Sequence, residues 1–480
     1  MNYRMICRVL GLILLIYAAL MLLPVLAGLC YGETPLPFLI AMAAAAAPGG
    51  LLLLARPKNG SLVARDGFVI VGLGWILISL IGALPLTLSG SMPSYVDALF
   101  ETVSGLTTTG ATVLENFDTM PRGVMFWRVF THWIGGMGVL VFLMAVLPMS
   151  GEHSMHIMRA EVPGPTVGKL VPRVRRTARI LYLIYIALTL IEAVALMISG
   201  MNLYDALLHA FSTAGTGGFS DMSNSISGFQ SPLIENVLAV FMVLFALNFN
   251  LYYLILTGSA HKALKNEELR NFLLLILGSV LVIALSLCRG RGYTLRPALH
   301  DAFFNVAAII STTGFGTVDF TAWPEICKWV LILLMFCGGC AGSTGGGIKL
   351  SRVMILVKSV IAELKQISRP RNVIRVQMDG RRVERETIRA AYTFVSLYFM
   401  LLLLFSVLLS LDGTDIATCF TASLSCLSNV GPGLTKIIGP AGNYAFFTVR
   451  SKLLLSLAML LGRLEFYPIL VLMMPRTWRR

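Results

Sequence analysis

The run Asp97-Ala-Leu-Phe-Glu-Thr-Val-Ser-Gly-Leu-Thr-Thr-Thr-Gly110 returns as Asp205-Ala-Leu-Leu-His-Ala-Phe-Ser-Thr-Ala-Gly-Thr-Gly-Gly218 and as Asp301-Ala-Phe-Phe-Asn-Val-Ala-Ala-Ile-Ile-Ser-Thr-Thr-Gly314. In each copy Asp-Ala opens the segment and a glycine closes it thirteen residues later. A looser fourth copy begins at Asp415 and reaches its glycine at Gly431, sixteen residues on, within Ser428-Asn-Val-Gly-Pro-Gly433. Internal repetition of this kind decides the architecture before any other signal does.

Each copy is a short apolar segment opened by Asp, which reads as an N-capped helix of about three turns. Three turns cover only ~15–18 Å, half of the ~30 Å hydrocarbon core of a bilayer. Such a helix must enter and return on one side. The Thr/Gly stretch behind it is then non-helical backbone at membrane depth, tolerated only where it is buried in protein or lines a water-filled cavity. Glycine adopts φ > 0 without penalty, so successive carbonyls can turn toward a common axis and replace the water around an ion. In one copy, Thr-Thr-Gly would read as the end of a short helix. Four copies in register between spans read as a selectivity filter made of Thr108, Thr109, Gly110, Thr216, Gly217, Gly218, Thr312, Thr313, Gly314, Asn429, Val430 and Gly431.

The flanking sequence supplies the membrane. Hydrophobic residues make up 56% of 480 and charged residues 13%, against about a quarter charged in a soluble domain. Apolar runs near 8–31, 36–55, 66–90, 122–149, 177–200, 232–258, 271–288, 323–348, 387–411 and 448–474 give ten expected spans. The fold class is therefore an all-α polytopic membrane protein: four pseudo-symmetric helix–pore helix–helix repeats around a central pore, plus two extra N-terminal spans. The divisions fall at 1–60 for the extra spans and at 61–155, 170–262, 266–365 and 385–480 for the repeats, the third with an interrupted second helix. The net charge of +14 lies in alternate loops rather than on a nucleic-acid-binding face. By the positive-inside rule, those loops and both termini are cytoplasmic.

Glycine occupies 338, 339, 342, 345, 346 and 347, beside Ser343 and Thr344. Each glycine costs a helix about 1 kcal/mol relative to alanine, so this stretch reads as a break and as a loop lying across the pore, a gate. Arg463 sits in an apolar helix, where an unpartnered charge costs at least ~2.5–3.5 kcal/mol. Two readings stand: a pairing with Glu465, or a positive obstacle in the pore below the filter. Glu192 is a further candidate partner, and His132 reads as a packed, hydrogen-bonded histidine. An enzyme is not expected. Gly342-Ser343 has no evident His partner, and Glu152, His153 and His156 do not form the His-Glu-x-x-His arrangement of a metal site. Cys337 and Cys340 have no second pair, so no transition metal is expected. No phosphate-binding Gly-x-x-x-x-Gly-Lys-Ser/Thr motif occurs.

The pattern resembles the Trk/Ktr/HKT superfamily of potassium uptake proteins, most closely its bacterial TrkH/TrkG branch. The carriers are the four filter sequences together with His132-Trp-Ile-Gly-Gly-Met-Gly138, Cys337-Gly-Gly-Cys-Ala-Gly-Ser-Thr-Gly-Gly-Gly-Ile-Lys349 and Gly462-Arg-Leu-Glu465. The resemblance covers essentially the whole chain. It implies potassium as substrate with no covalent cofactor, and a location in the cytoplasmic (inner) membrane. It also implies a homodimer with one pore per protomer, and a cytoplasmic nucleotide-binding regulatory (TrkA-like) partner. The basic stretch 349–389 is the expected surface for that partner or for lipid headgroups. The residues after the shared glycine differ (Ala111, Phe219, Phe315 and Pro432), so few complete four-fold rings are expected, with rubidium accepted and sodium disfavoured. Proton- or sodium-coupled symport, or service as the pore subunit of an ATP-driven pump, stays open at this point.

Overall fold

The computed structural model describes residues 1–55, 62–115, 117, 119–138, 174–369 and 375–478, with side chains omitted for 174–177. Among these, six apolar helices are long enough to cross a bilayer: Tyr3–Cys30, Leu36–Leu53, Ala64–Leu88, Ala178–Ile198, Glu267–Arg291 and Arg385–Ser410. The last four are each followed by a shorter helix, namely Tyr95–Leu106, Leu203–Gly215, Leu295–Ile310 and Ile416–Ser428. The shorter helices are buried on nearly every face. The long ones keep rows of exposed Leu, Val and Phe, such as Leu274, Leu277, Leu281 and Leu285, or Met400, Leu403, Leu404 and Val407. A polypeptide shows this pattern when lipid, not water, covers its outside.

The caps of the short helices correct one expectation. Asp97 and Asp205 do not cap. Ser94 and Asn202 do, their side chains accepting the backbone N–H of Asp97 and Asp205. Asp301 lies inside a longer helix that starts after Thr294, and Asp415 alone is an N-cap, accepting from Thr418 N at 2.9 Å. Counted from the cap, Gly110, Gly218 and Gly431 each lie sixteen residues on. The fourth copy is thus no looser than the first two; the aspartates were simply not equivalent positions.

The second helices of the second and fourth repeats also depart from the sequence reading, which interrupts that helix in the third repeat alone. Pro232–Phe245 and Phe249–Leu256 meet at 88°. Val449–Arg463 and Tyr467–Met473 are separated by Glu465 and Phe466, with φ of 52° and 70°. In the third repeat, Glu325–Cys337 and Leu350–Ser368 flank the glycine-rich stretch 338–349. In the first, Arg122–Gly136 ends two residues before the described region does, and the rest of the expected span 122–149 lies outside it. The breaks are met by partners from elsewhere in the chain. In the second repeat the freed carbonyls of Phe245 and Ala246 accept hydrogen bonds from Thr344 and Cys340 of the glycine-rich stretch. In the fourth, Glu465 turns out of the helix to meet Arg352 at 2.6 and 2.9 Å.

Inner helices reach the pore helices through glycine. Gly135 sits against the Leu106 carbonyl and Gly462 against that of Leu427, so closely that no side chain fits at either place. Small residues of this kind let helix backbones approach in a membrane. The two N-terminal helices use the same device, Gly11 against Gly49.

Candidate functional site

All four short helices end in the same turn. Thr109, Gly217, Thr313 and Val430 each donate their backbone N–H to the carbonyl five residues back, at Ser104, Ser212, Ala308 and Ser425, over 2.8–2.9 Å. The residues before them, Thr108, Thr216, Thr312 and Asn429, have φ of 55°, 57°, 62° and 55°. The residues after them, Gly110, Gly218, Gly314 and Gly431, have φ of 80°, 82°, 78° and 103°. A left-handed residue costs a β-branched side chain strain of order 1–3 kcal/mol, and here three threonines carry it in corresponding places.

The four turns close on one another. A methyl group on Gly110 would strike the carbonyl oxygen of Gly217; on Gly218, that of Thr313; on Gly314, that of Val430; and on Gly431, that of Thr109. Each glycine therefore abuts the residue before the glycine of the next repeat, and the fourth returns to the first. The twelve residues expected as a filter form this ring, and Thr108, Thr109, Thr216, Thr312, Thr313, Asn429 and Val430 are fully buried in it. Two polar atoms in it, Thr108 Oγ1 and Asn429 Oδ1, are buried without a protein hydrogen-bond partner. An unpaired buried oxygen costs about 1–3 kcal/mol; the one on Asn429 lies against Gly462 of the inner helix. Asn429 replaces threonine in the fourth repeat and uses its amide to bridge Thr109 Oγ1 and the Met459 carbonyl, both at 3.0 Å. On the outer side a cavity opens, lined by Gly110, Gly218, Gly314 and Gly431 and walled by Arg128, Phe219 and Tyr444.

On the other side lies the glycine-rich stretch. Cys340 N donates to Ala246 O at 2.9 Å, Phe249 N to Gly342 O at 3.1 Å, and Gly346 N to Thr312 Oγ1 at 2.7 Å. Gly345 packs on the Ser311 carbonyl and Gly346 on that of Ser428. The stretch thus runs from the break in the second repeat, past the third filter turn, to the fourth. Arg463 fastens it, donating to Thr344 O at 2.6 Å and to the end carbonyls of the first inner helix, Gly135 O and Gly136 O, at 2.5 and 2.7 Å. Lys349 closes the stretch on itself through Gly345 O. The structure brings together Gly338, Gly339, Gly342, Ser343, Thr344, Gly345, Gly346, Gly347 and Arg463, the residues expected as a gate. It corrects the expected pairings: Glu465 belongs to Arg352, and Glu192 makes no ion pair with Arg463. His132 is packed, its ring stacked on Phe219 at 4.2 Å between centroids and its Nδ1 3.3 Å from Ser212 Oγ.

The basic stretch is less free than its composition implies. Lys349 and Arg352 are buried and Lys358 pairs with Glu267, while Lys365, Arg369, Arg375, Arg381, Arg382, Arg385 and Arg389 are exposed. Glu152, His153 and His156 lie outside the described residues, among which no metal-binding group of His, Cys, Asp or Glu occurs. Sequence reasoning missed Glu101 and Arg128, and also Glu268, which accepts the Ala341 N–H of the glycine-rich stretch at 2.8 Å. The signal for the first two was a charge within an apolar stretch, Glu101 in the segment 97–110 and Arg128 in the expected span 122–149.

Comparison with known proteins places the chain. The TrkH family of cation transport proteins matches residues 37–479. The Trk system potassium uptake protein TrkH of Halomonas elongata is 36% identical over the full length of both chains. TrkG of Escherichia coli is 36% identical, over 100% of this chain and 99% of its own. The crystal structure of the potassium transporter TrkH from Vibrio parahaemolyticus superposes with a TM-score of 0.90 at 34% identity, covering all of both chains.

Proposed function

The chain belongs to the TrkH family of cation transport proteins, and from that premise we propose that it is a potassium uptake protein of the cytoplasmic membrane. The observation that carries the reading is the closed ring of four left-handed turns, with glycine at each junction. Such a ring offers a dehydrated cation carbonyl and hydroxyl oxygens and nothing acidic, which suits a large monovalent ion over a divalent one.

The filter is made of Thr108, Thr109 and Gly110, Thr216 to Gly218, Thr312 to Gly314, and Asn429 to Gly431. The stretch 338–347 with Arg463 is the gate. Its hydrogen bonds to three repeats support a shut pathway, and opening must exchange them for others or for water. Both termini are cytoplasmic, and the exposed arginines on the same face receive a nucleotide-binding regulatory partner. Relatives named as parts of a Trk system support more than one component. Two protomers associate, each with its own pore. No catalytic step is part of this reading. Energetics does not require coupling: a potential of 100 mV contributes about 2.3 kcal/mol per charge, roughly fifty-fold accumulation.

The test is rubidium uptake into sealed vesicles holding the purified protein, under an imposed inside-negative potential and without a sodium gradient. Potential-driven uptake that Gly314→Ser alters is the expected result. Uptake that waits for a sodium or proton gradient would replace passive flow with coupling. Uptake indifferent to Gly314 would overturn the filter assignment.

A further inference from the structure

Nine residues before each filter glycine stand Glu101, His209, Asn305 and Ala422; two residues after it stand Thr112, Ser220, Gly316 and Gly433. In the first two repeats these positions are tied by side chains. Glu101 accepts from Thr112 Oγ1 at 2.8 Å and from Val113 N at 2.9 Å, and His209 Nε2 lies 3.1 Å from Ser220 Oγ. In the last two repeats glycine replaces the hydroxyl residue and no such tie exists; Gly316 is held instead by Ser225 and Ile226, and Gly433 by Ile438.

Arg128 joins the two tied quadrants. Its Nε donates to Glu101 Oε1 at 2.6 Å, one terminal nitrogen to Ser220 O at 3.0 Å and the other to Thr112 Oγ1 at 3.3 Å. Its guanidinium lies 3.6 Å from the centre of the Phe219 ring, the residue directly after the second filter glycine, and that ring is itself stacked on His132. Both partners of the ion pair are buried, at 1% and 0% side-chain exposure. A buried pair contributes little to stability, because desolvation cancels its attraction. Its three fixed directions, however, set geometry.

We propose that the Glu101–Arg128 pair is a positioning device: it fastens the outer mouth of the first two filter turns and thereby sharpens the choice of potassium over sodium. The inference rests on the potassium-pore reading above. Neither residue lies in the filter; both act through the residues just after it, the Thr112 hydroxyl, Val113 N–H, the Phe219 ring and the Ser220 carbonyl.

The pair predicts two signatures that simple damage to the fold does not. Glu101→Gln leaves an uncompensated guanidinium at the mouth and raises the half-saturating rubidium concentration, whereas Arg128→Gln leaves a carboxylate and lowers it. Both lose selectivity against sodium, by on the order of tenfold. Arg128→Lys keeps the charge but not the fork and falls between wild type and Arg128→Gln. Should the single variants fail to fold, the double variant Glu101→Leu/Arg128→Met keeps the test alive, since apolar replacement of a buried pair is commonly neutral or stabilising.

Rubidium and sodium fluxes are measured in vesicles of the full-length protein, beside thermal melting in detergent. A double variant that melts like wild type yet admits sodium is the expected result. A folded double variant with wild-type selectivity, or selectivity that merely tracks melting temperature across the set, overturns the proposal. Vesicles that take up no rubidium, even with a sodium or proton gradient imposed and the gate loosened by Arg463→Gln, would remove the potassium reading, and the proposal with it; intact wild-type uptake with indifferent variants removes the proposal alone.

Discussion

Placing a single methyl group on each filter glycine in turn separates a ring from four independent loops. An alanine Cβ at Gly314 would stand 2.0 Å from the Val430 oxygen, and one at Gly431 would stand 2.6 Å from the Thr109 oxygen, where real Cβ atoms essentially never come within 3.0 Å. The backbone must therefore give by at least about 1.0 Å in the first case (3.0 less 2.0) and about 0.4 Å in the second (3.0 less 2.6). Gly110 and Gly218 resemble Gly314. The first displacement exceeds the difference in radius between potassium and sodium, and the second is comparable to it. Left-handed backbone adds roughly 1–2 kcal/mol of strain at every site. Gly110→Ala, Gly218→Ala and Gly314→Ala should each lose most discrimination against sodium, and Gly431→Ala should keep part of it. Radioactive rubidium uptake into vesicles, with sodium as competitor, reads the order directly. A Gly431→Ala variant more damaged than Gly314→Ala, or a Gly314→Ala variant as selective as wild type, would refute the closed ring.

Other outcomes follow from the same contacts. Arg463→Gln removes charge from three carbonyl anchors, so uptake without any regulatory partner should rise; unchanged basal flux would exclude a latch role. Thr312→Val deletes the acceptor of Gly346 N–H, a buried bond of about 1 kcal/mol net, and should raise basal flux less than Arg463→Gln does. Glu465→Gln breaks its two-point contact with Arg352, which is partly exposed on the Glu465 side; melting in detergent should register a loss of about 1–3 kcal/mol. Asp415→Ala should cost about 1 kcal/mol and Asp415→Asn little. The Thr418 hydroxyl and then its backbone N–H hold the Asp415 carboxyl below its ordinary value. This contribution is therefore complete at neutral pH and fades only as acidification passes through the lowered value.

Most of this architecture was readable in the residues because a half-length helix followed by Thr/Gly is physically unusual in a membrane, and its recurrence removes ambiguity. The aspartates misled because Asp serves equally as a cap and as a first-turn residue favoured by the helix dipole. Only hydrogen-bond geometry separates Asp415 from Asp97. The kink at Ala246 was hidden because it carries neither proline nor a run of glycine and is held by a distant partner, the glycine-rich stretch. At Glu465 a signal was present in Pro468, whose ring cannot continue a helix from Leu464; the contact with Arg352 was what no local pattern displayed. Arg463 likewise looked like either half of a pair or an obstacle. The carbonyls it holds belong to elements more than a hundred residues away, which no local pattern displays.

A pore assembled from four identical chains must accept every substitution four times over. Here one continuous chain supplies the whole circumference, so an arginine can stand in the first quadrant, an asparagine in the fourth, and bare glycine at the mouths of the third and fourth alone. Selection can then tune a single sector while the other three hold the ion. The lopsided collar around the outer mouth is the mark of that freedom: a symmetric task performed by parts that are no longer obliged to match.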